Sequence, residues 1–245
     1  GIAELDQLLG GGVERGSSAL VIGPAGTGKS LLVQQFIVQA AMRGERAALF
    51  VFDEEIGLMY SRGRQMGIDL EGLQDAGRVF IEQVDAAELS PGEFAHKARR
   101  LVDDNDVRTV VIDSLNGYQE AMPQEQFLIV HIHELLQYLN RQSVNTFLTV
   151  AQHGLVGDMS SPVDVTYLAD TVVLLRYFEA QGRVRRAISV IKKRSGMHED
   201  TIREFRITDH GISIGQPLQQ FQGILRGVPT YVGANDEALL RDDPP

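Results

Sequence analysis

Residues 23–30 read G-x-x-x-x-G-K-S, a pattern suited to the binding of phosphate groups. Glycines let the backbone curl so that successive N–H groups point at phosphate oxygens, and a helix starting there offers its positive end to the same anion. An apolar stretch typical of a buried strand, 18–22, precedes the pattern, and a helix-favouring stretch follows it. The expected nucleotide-binding set is Gly23, Pro24, Ala25, Gly26, Thr27, Gly28, Lys29, Ser30 and Leu31.

Three side chains in and after this loop are suited to the cleavage of a nucleoside triphosphate. Lys29 is expected to reach the β and γ phosphates, which makes it a catalytic candidate, and the Ser30 hydroxyl is the expected Mg²⁺ ligand. Asp113 ends the apolar strand 109–113. A carboxylate at the carboxyl end of a parallel strand faces the crevice where ligands bind, so we expect Asp113 to hold a Mg²⁺-bound water. The predicted cofactors are ATP and Mg²⁺.

Three consecutive acids, Asp53, Glu54 and Glu55, follow the strand-like stretch 46–52. Three adjacent acids are more than a turn requires, and one of them is expected to polarise the water that attacks the γ-phosphate. The alternative is a solvated acidic helix start that the helix dipole stabilises. Sequence does not decide which carboxylate acts, and Glu54, in the middle, is the first candidate.

Strand-like and helix-like stretches alternate along the first two thirds of the chain. Strands are predicted at 18–22, 46–52, 78–81, 109–113 and 145–151, and helices at 31–41, 57–66, 92–102 and 126–139. Apolar strands separated by helices predict an α/β fold with a mostly parallel central sheet flanked by helices. Beyond Asp170, three consecutive strands at 171–178, 184–192 and 201–207 predict an antiparallel C-terminal edge. We expect one domain over 1–233 and a loose acidic tail over 234–245.

Composition excludes several classes of protein. The 245 residues are 43% hydrophobic, which is ordinary for a globular domain, and no apolar run approaches the length of a membrane span. The absence of cysteine excludes a disulfide scaffold and thiolate zinc sites. The net charge of −10 argues against a large non-specific nucleic-acid surface. We expect a cytoplasmic protein.

Several segments resemble known ATPases. The opening segment, the phosphate loop, the acids and a strand end resemble the RecA superfamily: 1–12, 23–30, 53–55 and 111–115. Later segments resemble KaiC-like ATPase domains within it: 169–176, 192–198, 202–205 and 207–211. The resemblance covers nearly the whole chain and implies a RecA-like P-loop NTPase fold. Segment 221–230 looks like the close of the second of two tandem KaiC domains, which fits one half of a longer protein.

This resemblance implies a hexameric ring with ATP between neighbouring subunits. Lys192, Arg194 and His198 match residues that approach the nucleotide held by the adjacent phosphate loop, and Asp209 matches a position near the nucleotide sugar and base. Cationic groups that stabilise charge on the γ-phosphate suit phosphoryl transfer. Without the resemblance, the run 192–194 would be read as a solvated, charged strand end.

The family also carries a pair of adjacent glutamates after its second strand. These align without gaps to Asp53 and Glu54, whereas related enzymes would place the pair at Glu54 and Glu55. Both alignments remain open.

The second KaiC domain phosphorylates itself on an adjacent serine and threonine. Alignment on Asp170 places Thr166 and Tyr167 at those positions, so the serine is replaced by threonine and the threonine by tyrosine. Thr166 keeps a short hydroxyl side chain that can accept phosphate, whereas the longer Tyr167 needs a different approach to ATP. Ser160 and Ser161 lie close by but do not match.

The leading prediction is a magnesium-dependent ATPase that acts in a ring, with serine/threonine autokinase activity and circadian-type regulation through protein partners as expectations from the resemblance. A DNA-dependent ATPase like RecA or a ring helicase is the alternative. It is disfavoured because segments 116–126 and 154–165 contain no Lys or Arg with which to hold DNA. A nucleotide-binding assembly protein with negligible turnover is the third hypothesis.

Overall fold

A computed structural model describes residues 2–85, 90–120, 125–152, 154, 166–226 and 229–232. The expected tail and the two serines at 160 and 161 lie outside these residues. The helices are α1 Ala3–Leu8, α2 Lys29–Met42, α3 Ile56–Gln65, α4 Leu70–Asp75, α5 Pro91–Asn105, α6 Leu115–Glu120, α7 Glu125–Arg141 and the 3₁₀ turn Ile224–Arg226. The strands are β1 Ser18–Gly23, β2 Arg46–Val51, β3 Val79–Gln83, β4 Val107–Asp113, β5 Asn145–Ala151, β6 Thr171–Ala180, β7 Arg183–Lys193, β8 Arg203–Thr208, β9 Gly211–Pro217, β10 Phe221–Gln222 and β11 Thr230–Tyr231.

In the described part of the chain, nine strands form one sheet in the order β3-β2-β4-β5-β1-β6-β7-β8-β9. The pairs from β3 to β6 are parallel and the pairs from β6 to β9 are antiparallel. The predicted α/β fold with an antiparallel C-terminal edge is therefore confirmed. β6 joins the two halves because it pairs parallel with β1 and antiparallel with β7.

The antiparallel half contains one strand more than the sequence predicted. β9 was missed because its sequence, GISIGQP, offers only two isoleucines between glycines and a proline, which is a weak strand signal. Pairing with β8 creates the strand, after a turn in which Gly211 has φ 101. Glycine adopts that conformation without strain.

Apolar layers cover both faces of the sheet. On β1, Leu20 and Ile22 join one buried cluster while Ala19 and Val21 join the other, as the two-residue period of a strand requires. Helices α5 and α7 contribute to the first cluster, and α2 and α3 to the second. Burial of one such aliphatic side chain contributes about 1.5–3 kcal/mol. Across the residues that the structure covers, no helix has the length and apolar character to cross a membrane.

We name the two ends of the parallel strands the amino edge, where these strands start, and the carboxyl edge, where they end. Both differ from the antiparallel C-terminal edge, which is the side of the sheet formed by β6 to β9. At the amino edge, Arg46, Arg78 and Arg108 stand at or near the starts of three strands. Their guanidinium groups donate to carbonyls at helix ends, those of Asn105 (2.9 Å), Gly44 (3.1 Å) and Gln142 (3.0 Å). Cations at helix C-termini satisfy unpaired carbonyls and complement the helix dipole. These arginines therefore fasten α2, α5 and α7 to the sheet.

Candidate nucleotide-binding site

The phosphate loop connects the end of β1 to the start of α2 at the carboxyl edge. Gly28 caps α2 with φ 102, and a Cβ there would lie 2.7 Å from Ile207 Cδ1. Gly26 has φ 76, and its Cβ would lie 2.8 Å from the Tyr177 hydroxyl. Both positions need glycine for the backbone conformation and for the close approach of β6 and β8. The antiparallel half thus packs against the back of the loop.

Lys29 is buried inside the loop. Its Nζ donates to the carbonyl oxygens of Gly23 at 2.9 Å and Pro24 at 2.8 Å. Thr27 Oγ1 donates to the same Pro24 carbonyl at 2.8 Å. Burial lowers the pKa of Lys29, and the negative charge of Asp113 opposes that shift. A desolvated cation held among main-chain oxygens suits a phosphate group, which would replace those oxygens with stronger acceptors.

Asp113 ends β4 beside the phosphate loop. Its carboxylate accepts a hydrogen bond from Thr149 Oγ1 at 2.5 Å and another from the Ser30 hydroxyl. Burial raises the pKa of Asp113, while the hydrogen bonds from Thr149 and Ser30 and the charge of Lys29 act in the opposite direction. Ser30 and Asp113 are both oxygen donors and touch each other, so this pair fits the preference of Mg²⁺ for hard oxygen ligands.

The three acids after β2 lie next to Asp113, because the Phe52 N–H donates to the Asp113 carbonyl at 2.8 Å. Their environments differ. Asp53 accepts a hydrogen bond from the Ser114 hydroxyl. The two carboxylate oxygens of Glu54 receive both ends of the Arg62 guanidinium, at 2.5 and 2.7 Å. Glu55 is exposed, and no hydrogen bond or ion pair holds its carboxylate among the described residues.

Sequence reasoning missed four residues of this region: Arg62, Ser114, Thr149 and Tyr177. Thr149 and Ser114 carried a local signal. Thr149 is a polar residue inside the apolar strand β5, and Ser114 directly follows Asp113 at the end of β4, so both hydroxyls need hydrogen-bond partners. Arg62 lies one helix away from Glu54, and Tyr177 Oη reaches the Ala25 carbonyl at 3.3 Å across 152 residues. No local pattern indicates such distant pairs.

Lys192 and Arg194 lie at the amino edge, far from the phosphate loop of the same chain. Thr171, the first residue of β6, pairs with Ala19 near the start of β1, and the end of β7 pairs with the start of β6. The six residues of β1 separate this edge from the phosphate loop. At about 3.3 Å per residue, the full strand is roughly 17 Å long, and Lys192, which is level with Leu20 through Val172, lies about 10 Å along the strands from Gly23.

The other two predicted nucleotide contacts lie apart from each other. His198 follows β7 at the amino edge, where its Cα would lie 3.4 Å from a Cβ on Gly10. Asp209 occupies the exposed turn after β8 at the carboxyl edge. Within one chain, the structure brings His198 and the Lys192 and Arg194 pair to the same edge and leaves Asp209 at the opposite one. The interface roles of all four remain predictions.

The sheet order and the loop between β1 and α2 place the chain among the RecA-like P-loop ATPases. The sequence model of the family described as "ATPase: KaiC" matches residues 1–219, and the chain belongs to this family. The predicted family is therefore confirmed.

Curated relatives agree with this match over nearly the whole chain. The chain is 30% identical over 98% of its length to the "Circadian clock oscillator protein KaiC" of Thermostichus vulcanus. It is also 30% identical to the protein of that name from Synechococcus elongatus, and 29% identical to the "Circadian clock protein KaiC3" of Synechocystis sp.. The chain spans about half the length of these relatives, 46–48%.

Proposed function

We propose that this domain binds ATP with Mg²⁺ and hydrolyses it. The observation that supports this proposal most strongly is the contact network of Lys29, Ser30 and Asp113 at the carboxyl edge. A buried cation, a hydroxyl and a carboxylate converge there beside a loop whose N–H groups suit phosphate oxygens. Family membership supports the same activity.

Each residue of the network has a role in the proposed reaction. Lys29 binds the β and γ phosphates, and the loop backbone orients them. Ser30 and Asp113 would hold Mg²⁺, which when bound neutralises charge on the phosphate oxygens. One of the three acids after β2 polarises the attacking water. Glu54 remains the first candidate. Both of its carboxylate oxygens accept hydrogen bonds from Arg62, so this ion pair must open or shift before Glu54 can accept a proton from the water.

We propose further that the active form is a ring, hexameric as the resemblance implies, with ATP between subunits. The opposite placement of the phosphate loop and the Lys192 and Arg194 pair supports this step. Both side chains also extend to carbonyls at the amino edge, away from the phosphate loop of their own chain, so we expect these cations to contact the ATP of another chain. A cation supplied in trans couples hydrolysis to assembly.

Autophosphorylation is the last part of the proposal. Thr166 is half-buried and Tyr167 is 49% exposed, and both lie at the amino edge with the two cations. Thr166 is the proposed acceptor, because its short hydroxyl resembles the family's acceptors. A circadian regulatory role is proposed from the relatives' names alone. Phosphopeptide mass spectrometry after incubation with ATP and Mg²⁺ tests the acceptor, and unmodified Thr166 would contradict it.

Phosphate release by single amide variants tests the hydrolysis. Asp53→Asn, Glu54→Gln and Glu55→Gln each remove one carboxylate, and at least one is expected to lower the turnover by about 100-fold or more while retaining ATP binding. Glu71→Gln is the matched control, since Glu71 pairs with Arg64 on the surface. Retention of full turnover by all three variants would remove the catalytic role of this segment. Stimulation by DNA at physiological salt would favour the nucleic-acid motor instead.

A further inference from the structure

The turn that carries Thr166 and Tyr167 is held through its main-chain carbonyls by two cations. Lys192 Nζ donates to the carbonyl oxygens of Thr166 at 3.0 Å and Ala169 at 2.9 Å. Arg194 Nη2 donates to the Tyr167 carbonyl at 2.7 Å. The cations that the resemblance assigns to a neighbour's ATP are therefore engaged with the hydroxyl-bearing turn of their own chain.

Asp170 ties the same turn to the start of β1. Its Oδ2 accepts hydrogen bonds from Ser18 N at 2.9 Å and Ser18 Oγ at 3.0 Å, while its Oδ1 receives Arg194 Nη1 at 3.2 Å. Leu168 and Ala169, with 8% and 0% exposure, belong to the apolar core. The turn 166–170 is thus fixed by the core on one side and by the cations on the other.

These contacts differ from those expected of a solvated strand end. An ammonium group is strongly hydrated and exchanges that water for two carbonyl oxygens here, a pattern that requires a defined position of the turn. The next residue offers an internal comparison, since Lys193 Nζ donates to the carbonyls of Leu9 at 2.7 Å and Gly12 at 3.2 Å. Two adjacent lysines therefore fasten two different segments.

We infer that Lys192 and Arg194 are positioning residues for the turn 166–170, so that these cations and the acceptor hydroxyls move as one unit. This inference rests on the proposed sharing of ATP between chains. When the unit docks beside a neighbour's ATP, the cations and the Thr166 hydroxyl arrive together. The Thr166 hydroxyl cannot reach the phosphate loop of its own chain, since β1 keeps the two edges roughly 17 Å apart.

Because the hydroxyl arrives with the cations, the proposed reaction is transfer of the γ-phosphoryl group from the neighbour's ATP to Thr166. A bond forms between Thr166 Oγ1 and the γ-phosphorus of the neighbour's ATP, and the bond from that phosphorus to the bridging oxygen of ADP breaks. ADP leaves with the electron pair of that bond. The hydroxyl proton passes to one of the carboxylates at 53–55 of the chain that holds the ATP. Positively charged side chains carried with the acceptor stabilise the charge on the transferring group.

Amide hydrogen exchange of the full chain without nucleotide tests the positioning role before any ring chemistry. Lys192→Met is expected to speed exchange in peptides covering 166–170 by about tenfold, because it removes two charge-assisted hydrogen bonds. Lys193→Met is the matched control, which should leave 166–170 unchanged and loosen 9–12 instead. Lys192→Arg should restore protection. Equal exchange at 166–170 in wild type and Lys192→Met would overturn the inference.

A second measurement separates positioning from a general loss of structure. Asp170→Asn weakens the anchor of Arg194 and leaves the phosphate loop at the opposite edge unaltered. Because the cations and the turn move as one unit, phosphorylation of Thr166 and phosphate release from ATP should both fall about tenfold, while the affinity of the phosphate loop for ATP should change less than about twofold. An equal loss of ATP affinity would indicate a general loss of structure and contradict the inference, and so would a fall in phosphorylation with unchanged phosphate release. If wild type shows no phosphate on Thr166, the autokinase proposal fails, and the exchange measurement still decides the positioning role.

Discussion

The two edges of the parallel sheet hold different halves of one proposed site. The carboxyl edge carries the phosphate loop, Asp113 and the acids 53–55, the set proposed to bind ATP and Mg²⁺. The amino edge carries two cations fixed on a hydroxyl-bearing turn, a set with no phosphate loop of its own. Because β1 separates the edges, one chain cannot bring its two halves together. In the proposed function, assembly of neighbouring chains completes the site.

The two halves also differ in how they are held. At the carboxyl edge, side chains fasten one another: Thr149 holds Asp113, Ser114 holds Asp53, and Arg62 holds Glu54. At the amino edge, Lys192 fastens two main-chain carbonyls and Arg194 fastens one, so the residues that carry those carbonyls need not be of a particular type, whereas Asp170 is a side-chain partner of Arg194. Substitutions should therefore affect chemistry directly at the first edge and act through position at the second.

The largest effect is expected at the carboxyl edge. Asp113→Asn should lower Mg²⁺-dependent ATP hydrolysis by about 100-fold or more, because a group that holds the metal supplies several kcal/mol. Thr149→Val keeps the shape and removes only the hydrogen bond to Asp113, so its expected loss is about tenfold. Steady-state phosphate release at several Mg²⁺ concentrations measures both. Equal rates for wild type and Asp113→Asn would contradict the metal role.

A smaller effect is expected in the scaffold of the amino edge. Glu199 follows β7, and its carboxylate accepts hydrogen bonds from Arg203 Nη2 at 2.6 Å and Arg203 Nε at 2.9 Å. Arg203 is buried, with a side chain 5% exposed. Glu199→Gln should lower the free energy of unfolding at pH 7 by about 2 kcal/mol, since it leaves the Arg203 charge without its carboxylate. Urea denaturation measures the difference.

The pH dependence of this effect follows from the ion pair. Hydrogen bonds from Arg203 lower the pKa of Glu199 below its ordinary value of 4.5. The stabilisation is present at pH above that value and is lost as the pH falls through the lowered pKa of the folded state. The difference between wild type and Glu199→Gln should therefore shrink in that acid range. A difference that stays constant down to full protonation would show that the pair is not its origin.

The smallest effect is expected where the antiparallel half touches the phosphate loop. Tyr177→Phe removes one hydrogen bond of 3.3 Å to the Ala25 carbonyl and keeps the ring. The KM for ATP should rise about threefold with little change in kcat, because one neutral hydrogen bond contributes about 0.5–1.5 kcal/mol. Tyr60→Phe, remote from the loop, is the control. A fall in kcat alone would mean that Tyr177 acts on chemistry and not on the loop.

Sequence predicted the carboxyl edge far better than the amino edge. The loop pattern and Asp113 are local signals, because a strand end and a short motif fix their positions. Lys192 and Arg194 came from the resemblance alone, and their contacts with Thr166 and Tyr167 span more than twenty residues. The sequence did not predict β9, because its own strand signal is weak and the strand forms through pairing with β8.

The sharing of one site between two chains is tested most directly by mixing two inactive variants. Lys29→Ala should not bind ATP in its own loop, and Lys192→Met should bind ATP without hydrolysing it. In a mixed ring, an intact loop of one variant meets the intact cations of the other, so turnover should recover to about a quarter of wild type. Phosphate release that equals the sum of the two separate variants at every mixing ratio would contradict a shared site.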